Sequence, residues 1–304
     1  VKILFTGASS FTGYWIVNAL AEDGHEIVAA FRSFYDDYGG IRRERVARLL
    51  NLCTPVFGCP FGQPEFFDRL GGMSFDLICH HASEVANYKS EDFNLVEALD
   101  RNTKNFRRAL QALKPKGVVY TGSIFERVEG ASFEQARAFS PYGLSKFFTA
   151  EWIRHMAWQE NVAFKKFVIP NPFGPFEEER FTSWLIKSWL AGRVPEVKTP
   201  RYIRDNIHVS LLAKAYASFV LSGRERTAPS GYSGSQGDFT ALFASKMAQY
   251  LNLECPFTLL PQEDFSEPRV RINSDPVQFD DGDEEAAWQE LAEHYSLRYS
   301  GVLA

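Results

Sequence analysis

Apolar positions in the first half of the chain follow two alternating rhythms. Short runs at Lys2 to Thr6, Glu26 to Phe31, Phe75 to His80, Gly117 to Thr121 and Val162 to Ile169 are too brief for helices and read as buried strands. Between them lie segments of helical periodicity. Thr12 to Asp23 places Trp15, Ile16, Ala19 and Leu20 on one face, and Ile41 to Leu50 charges its outer face. Glu65 to Leu70 reads as a short helix, Leu95 to Leu113 as one long helix and Tyr142 to Trp158 as another. Buried strands alternating with helices predict an α/β fold with a doubly wound parallel sheet. After about Pro170 the rhythm changes: proline and glycine become frequent, and helices are expected at Phe181 to Leu190, Leu211 to Leu221 and Phe239 to Leu251. The acidic run Asp280 to Glu285 reads as a solvated helix entry. Residues 1–170 are thus expected to form the sheet domain. Residues 171–304 are expected to form mainly a smaller lobe, some of whose segments return to the sheet.

The turn between the first strand and the first helix is Thr6-Gly7-Ala8-Ser9-Ser10-Phe11-Thr12-Gly13. Glycines there permit a tight bend and close approach of backbone to a pyrophosphate, and the helix start supplies N–H donors. Gly7, Ser9, Ser10, Phe11, Thr12 and Gly13 are therefore candidate dinucleotide contacts in a Rossmann-like fold. An acid at the end of the second strand would suit the ribose of NAD; the chain has Phe31-Arg32-Ser33, and an arginine suits the 2′-phosphate of NADP. The expectation is NADP, with NAD as the alternative if Asp36 or Asp37 folds back to the ribose.

A second constellation is Pro141-Tyr142-Gly143-Leu144-Ser145-Lys146. Residues four apart on a helix share a face, so the Lys146 ammonium stands near the Tyr142 phenol. A nearby positive charge favours the phenolate over a phenol that otherwise titrates near pH 10. Among the 12 tyrosines only Tyr142 has a lysine at this spacing, which singles it out as an acid/base for a hydroxyl proton.

Composition narrows the classes of function. The 304 residues carry a net charge of -5 with no basic block, which argues against a nucleic-acid partner. No apolar run is long enough for a bilayer, and the opening residues read as a strand rather than a signal peptide. Cys53, Cys59, Cys79 and Cys255 lack metal spacing and suggest no disulfide framework, so a cytoplasmic location is expected and no metal. His80 and His81 point to opposite faces of a strand, one buried and one toward a ligand.

Together these motifs resemble the extended short-chain dehydrogenase/reductase family, in its nucleotide-sugar epimerase/dehydratase branch. Gly7 and Gly13 match the family's glycine motif, with Ser10 at its middle glycine. Asp76 to Ala82 looks like the fourth strand, Asn102 like the asparagine of the central helix, and Val119 to Ser123 like the fifth strand with its catalytic Ser123. Tyr142 and Lys146 match the catalytic pair. The resemblance implies cofactor contacts also at His81, Ala82, Asn102, Tyr142, Lys146 and Pro170. It implies substrate contacts at Ser83, Ser123, Asn171, Arg204 and Arg271, with Asn171 and Arg204 beside a diphosphate and Arg269 or Arg271 as a second phosphate partner. Residues 1–170 then correspond to the dinucleotide-binding domain and 171–304 to the substrate-binding lobe. The dehydratases carry an Asp-Glu pair directly after the catalytic residue; here Ile124 and Phe125 follow Ser123, and Glu126 comes one position too late unless the loop shifts. The implied activity is nucleotide-sugar epimerisation, most often at C4. Alternatives are an NADPH-dependent 4-keto nucleotide-sugar reductase and a non-catalytic NADP sensor. A homodimer through helices 95–113 and 142–158 is a further expectation; Phe106, Phe147, Phe148 and Trp152 belong either to its surface or to the cover of the sheet in a monomer.

Overall fold

The computed structural model describes residues 1–130, 138–277 and 279–299. They divide into two compact units. The first comprises Val1–Glu129, residues 138–169 and Ala213–Ala228; the second comprises Gly130, Pro170–Leu212 and residues 229–277 and 279–299.

In the first unit β1 (Lys2–Thr6), α1 (Phe11–Glu22), β2 (Glu26–Ala30), α2 (Gly40–Leu49), β3 (Thr54–Val56), α3 (Pro64–Leu70) and β4 (Leu77–His80) follow in strict alternation. Next come α4 (Leu95–Thr103), α5 (Phe106–Leu113), β5 (Gly117–Ser123), α6 (Pro141–Gln159) and β6 (Ala163–Ile169). The chain continues through β7 (Asn171–Phe173), α7 (Phe181–Leu190), β8 (Glu196–Val197), β9 (Ile203–His208), α8 (Val209–Val220) and β10 (Arg226–Thr227). It ends with β11 (Pro229–Ser230), β12 (Tyr232–Ser235), α9 (Gln236–Leu251), β13 (Thr258–Leu259), β14 (Val270–Arg271), β15 (Asp275–Pro276) and α10 (Asp281–Tyr299).

Seven strands form one parallel sheet in the order β10-β6-β5-β4-β1-β2-β3. Both faces are covered, which explains the unbroken apolar runs. On one face Leu4, Val28, Ile78, Val118 and Tyr120 pack with Phe66, Phe106, Leu110 and Ile153; Ile3, Phe5, Ile27, Cys79 and Val119 are buried on the other. The strand order reverses at β1 and β4, the place where such sheets hold ligands beyond their carboxyl ends.

One expectation is corrected and one open alternative is decided. The helix read as continuous over 95–113 is broken: Asn105 adopts φ 52°, and its side chain donates to the Gly62 carbonyl at 2.8 Å. The amphipathic pattern runs on across the break because α4 and α5 both face the core. Phe106 is buried within that core, its ring 5.2 Å from those of His80 and Phe61, so it belongs to no outer surface. β3 was not foreseen, since three residues with a proline in the middle give a weak signal and fit only an edge strand.

The second unit has an aromatic core in which Phe173 meets Phe239 and Trp288 at 5.2 and 5.3 Å between ring centroids. Its central strand is β9. One edge of β9 pairs with β12; the other pairs with β14 along Ile203 and Arg204 and with β7 from Asn206 to His208. The acidic run opens α10, as its charge pattern suggested.

Candidate active site

The glycine turn is shaped to admit a dinucleotide. Gly7 has φ 84°, and a Cβ there would lie 2.7 Å from the Ala82 nitrogen, so the ends of β1 and β4 meet with no side chain between them. A Cβ on Gly13 would lie 2.2 Å from the Gly7 carbonyl oxygen. Ser10 stands in for the missing middle glycine. It caps α1 by accepting the Gly13 N–H at 3.0 Å, and it donates to the Gly7 carbonyl at 2.8 Å. These residues fit a pyrophosphate at the start of α1. The Ser9 carbonyl accepts from the buried Arg45 Nε at 3.1 Å, a brace on this turn that the sequence reading did not anticipate.

At the end of β2, Arg32 is exposed. Asp36 pairs with Arg43 at 3.2 Å, and Asp37 accepts the Phe34 N–H at 3.0 Å. Both acids are thus engaged locally.

The two histidines at the end of β4 are bonded to protein. His80 bonds the Thr6 hydroxyl at 3.1 Å and the Asn102 carbonyl at 3.0 Å. His81 bonds Thr12 through Nε2 at 3.0 Å and Thr121 through Nδ1 at 3.1 Å, so it ties the start of α1 to β5. Burial pushes both imidazoles down to about 3, which keeps them neutral and outside proton transfer near pH 7. Among the described residues no group of three or more His, Cys, Asp or Glu is placed to hold a metal ion. Ala82 donates to Thr6 Oγ1 at 3.2 Å. Buried Asn102 accepts the Glu84 N–H at 2.8 Å and donates to Ser83 Oγ at 3.3 Å and Thr149 Oγ1 at 3.2 Å. Its amide is satisfied within the protein, so it shapes the loop after β4.

Ser123 closes β5, where its Oγ accepts the Phe125 N–H at 3.3 Å. A hydroxyl that accepts retains its own proton to donate. Tyr142 lies on the first turn of α6, N-capped by Ser140, and its ring sits among Tyr88, Phe93 and Phe125 at 5.4, 5.7 and 5.9 Å. Lys146, one turn on, is 4% exposed. Its Nζ donates to the Thr121 carbonyl at 2.7 Å and stands 4.5 Å over the Tyr120 ring. Burial pushes the ammonium down to about 8; Glu126 pulls it up, and Lys166 pushes it further down.

The loop shift that could have rescued Glu126 as an acid does not occur. Its side chain is buried and ion-paired with Lys166 at 2.6 Å. Pro170 is buried directly after β6 in the chain.

In the second unit the registers collect four polar side chains on one sheet face. Arg204 and Asn206 are two apart on β9; Arg271 of β14 is opposite Arg204, and Asn171 of β7 opposite Asn206. Arg204 donates to the carbonyls of Ile203, Pro268 and Arg269. Glu267 sits 3.2 Å from Arg204 Nη2 and 2.6 Å from Arg271 Nη1, so one carboxylate holds both guanidiniums. Asn206 was not foreseen as a site residue. It is 8% exposed, and its Nδ2 is buried with no hydrogen-bond partner among the described residues. Its signal was the i+2 spacing from Arg204, visible only once β9 is known to be a strand.

Comparison with known proteins bears on the family and the fold. A model described as the NAD dependent epimerase/dehydratase family matches residues 3–231. A UDP-glucose 4-epimerase of Thermotoga maritima, solved with UDP-glucose, superposes with a TM-score of 0.73 at 15% identity, covering 98% of this chain and 99% of that one. A UDP-N-acetylglucosamine 4-epimerase of Methanobrevibacter ruminantium, in complex with UDP-N-acetylmuramic acid, gives 0.73 at 16%, covering 98% of each chain. A Thermus thermophilus UDP-glucose 4-epimerase in complex with NAD gives 0.71 at 17%, covering 97% and 99%. At such identities the structural likeness establishes the fold. No curated protein matches the chain. No helix among the described residues is long and apolar enough to cross a membrane.

Proposed function

Because the chain belongs to the NAD-dependent epimerase/dehydratase family and is an NAD(P)-dependent enzyme of the extended short-chain dehydrogenase/reductase type, we propose that it epimerises a nucleotide-linked sugar, at C4. The observation that carries this reading is the arrangement at β5 and α6: a serine that can still donate, a tyrosine one helical turn from a buried lysine, and that lysine fixed to the Thr121 carbonyl.

The turn from Gly7 to Gly13 holds the pyrophosphate, and the loop after β4, with Ala82 and Ser83, borders the nicotinamide side. When bound, the nicotinamide supplies the hydride chemistry. Tyr142 takes the proton of the sugar hydroxyl and returns it. Lys146 supplies the positive charge that favours the phenolate, while Ser123 donates to the reacting oxygen and orients it. Asn171, Arg204 and Arg271 bind the diphosphate, since guanidinium and amide donors match phosphate oxygens. Tyr142→Phe should lower turnover by about 10²–10⁴-fold, the usual contribution of a general base, while nucleotide affinity stays the same. Unchanged turnover in that variant would remove Tyr142 from the chemistry.

Arg32, with Asp36 and Asp37 both engaged elsewhere, favours NADP over NAD. The same observation favours a second reading, reduction of a 4-keto nucleotide sugar by NADPH. Net NADPH consumption with such a ketone separates the two, and tighter binding of NAD(H) than NADP(H) would refute the cofactor preference. A homodimer through α4 and α6 is supported by the exposed side chains of Val96, Phe148 and Trp152; a monomeric mass in sedimentation would exclude it.

A further inference from the structure

Glu126 follows the end of β5 by three residues and is 1% exposed. Its Oε1 accepts the Ser123 N–H at 2.7 Å, and its own N–H donates to the Ser123 carbonyl at 3.0 Å. Carboxylate and main chain thus close a ring around Ser123. Its Oε2 lies 2.6 Å from Lys166 Nζ on β6. Lys166 also meets Glu129 at 2.9 Å, and Glu129 in turn pairs with Arg226 of β10. A Cβ on Gly122 would fall 2.7 Å from Glu126 Oε1 and 2.7 Å from Lys166 Cε. The residue before Ser123 therefore has no side chain where this ion pair passes beneath the strand.

Burying two charges is expensive, and such pairs are poor sources of stability compared with apolar residues of the same volume. Their value lies in geometry. A charge-assisted bond to a main-chain N–H is stronger and shorter than a neutral one, and it fixes the donor's position.

We propose that Glu126 is a positioning residue for the reaction, holding the Ser123 main chain at the end of β5 so that the serine hydroxyl faces the reacting oxygen, with Lys166 as its neutralising partner. The proposal rests on the catalytic reading of Ser123 above. A loose strand end would cost rate, because an ångström of misplacement at a reacting group is costly.

The test compares two double variants, so that neither leaves a buried charge alone. Glu126→Gln with Lys166→Met keeps an acceptor for the Ser123 N–H; Glu126→Leu with Lys166→Met removes it. The Gln form should keep kcat within about threefold of the parent. The Leu form should unfold at a similar temperature, retain KM, and lose at least about tenfold in kcat. Hydrogen exchange at the Ser123 amide, followed by NMR without substrate, should be faster in the Leu form alone. A purely structural role predicts equal kcat and equal exchange in the two forms, and that outcome would overturn the proposal. Ser123→Ala reports separately on the catalytic reading: if it leaves turnover intact that reading falls, while amide exchange still decides whether Glu126 holds the strand end.

Discussion

Lys146 is the residue whose chemistry works against its own protein. Its ammonium is buried, with one carbonyl and one ring face as close partners, and this pushes it down to about 8 from 10.5. The unfolded chain therefore binds more protons than the folded one between about pH 8 and 10.5, and stability contributed by this site rises with pH across that window. Below pH 8 both states carry the proton, and the burial penalty stands in full. The shift corresponds to about 3 kcal/mol at one pKa unit per 1.36 kcal/mol. A side chain only 4% exposed needs no discount for solvent screening.

Lys146→Met has similar reach and no proton. Groups that titrate in both proteins cancel in the difference between them. The advantage of the methionine variant in unfolding free energy should shrink by about 2 kcal/mol between pH 7.5 and 9.5. Urea unfolding at several pH values measures this directly. The catalytic reading predicts the opposite trend in activity: parent turnover should fall above about pH 8 as the ammonium is lost, while the protein itself gains stability. A stability difference that does not change with pH would refute the argument, because the lysine would then not be titrating in this window.

Two further outcomes follow from the second unit. Glu267 pairs with both Arg204 and Arg271; if these bind the diphosphate as proposed, Glu267→Gln should tighten UDP binding by about tenfold, or 1.4 kcal/mol, by titration calorimetry, and unchanged or weaker binding would contradict this. Burial pushes the Glu177 carboxyl up to about 7 while Thr182 and Tyr295 donate to it. The folded state then binds more protons between pH 4.5 and 7, so this site's stabilisation is present below 4.5 and is lost as pH rises through 7. Glu177→Gln should gain about 2 kcal/mol on the parent between pH 5 and 7.5, and a gap that stays level would show that the carboxyl is already ionised at the lower pH.

The parts legible in the sequence were those set by local chemistry. β1, the glycine turn and the start of α1 are contiguous, and each residue's role follows from its neighbours. The Tyr142–Lys146 spacing is likewise local. What escaped depends on residues far apart in the chain. The break at Lys104-Asn105 is set by a bond to Gly62, which no periodicity records. The alignment of Arg204 with Arg271 requires that β14 pair with β9. Glu267 as their shared partner needs both that pairing and a side-chain direction.

Glu126 decides which reactions the proposed site can support. An acid soon after Ser123 invites the idea of a proton donor for water elimination, but Glu126 is turned under β5 and fixed by Lys166. Ile124 is fully buried, and the Phe125 ring packs against Tyr142. The positions that would carry an acid/base pair are thus apolar. His80 and His81, neutral and bonded on both nitrogens, cannot replace it. Under the proposed mechanism one hydroxyl proton passes through Tyr142, with Ser123 orienting the same oxygen. Oxidation of a carbinol carbon and its reduction from the other face need no more than that. Elimination of water from adjacent carbons needs a second base and a leaving-group acid. A sugar-nucleotide turnover assay with this chain should accordingly show epimer formation without accumulation of a dehydrated 4-keto-6-deoxy product, and appearance of that product would mean that a group other than Glu126 supplies the missing acid.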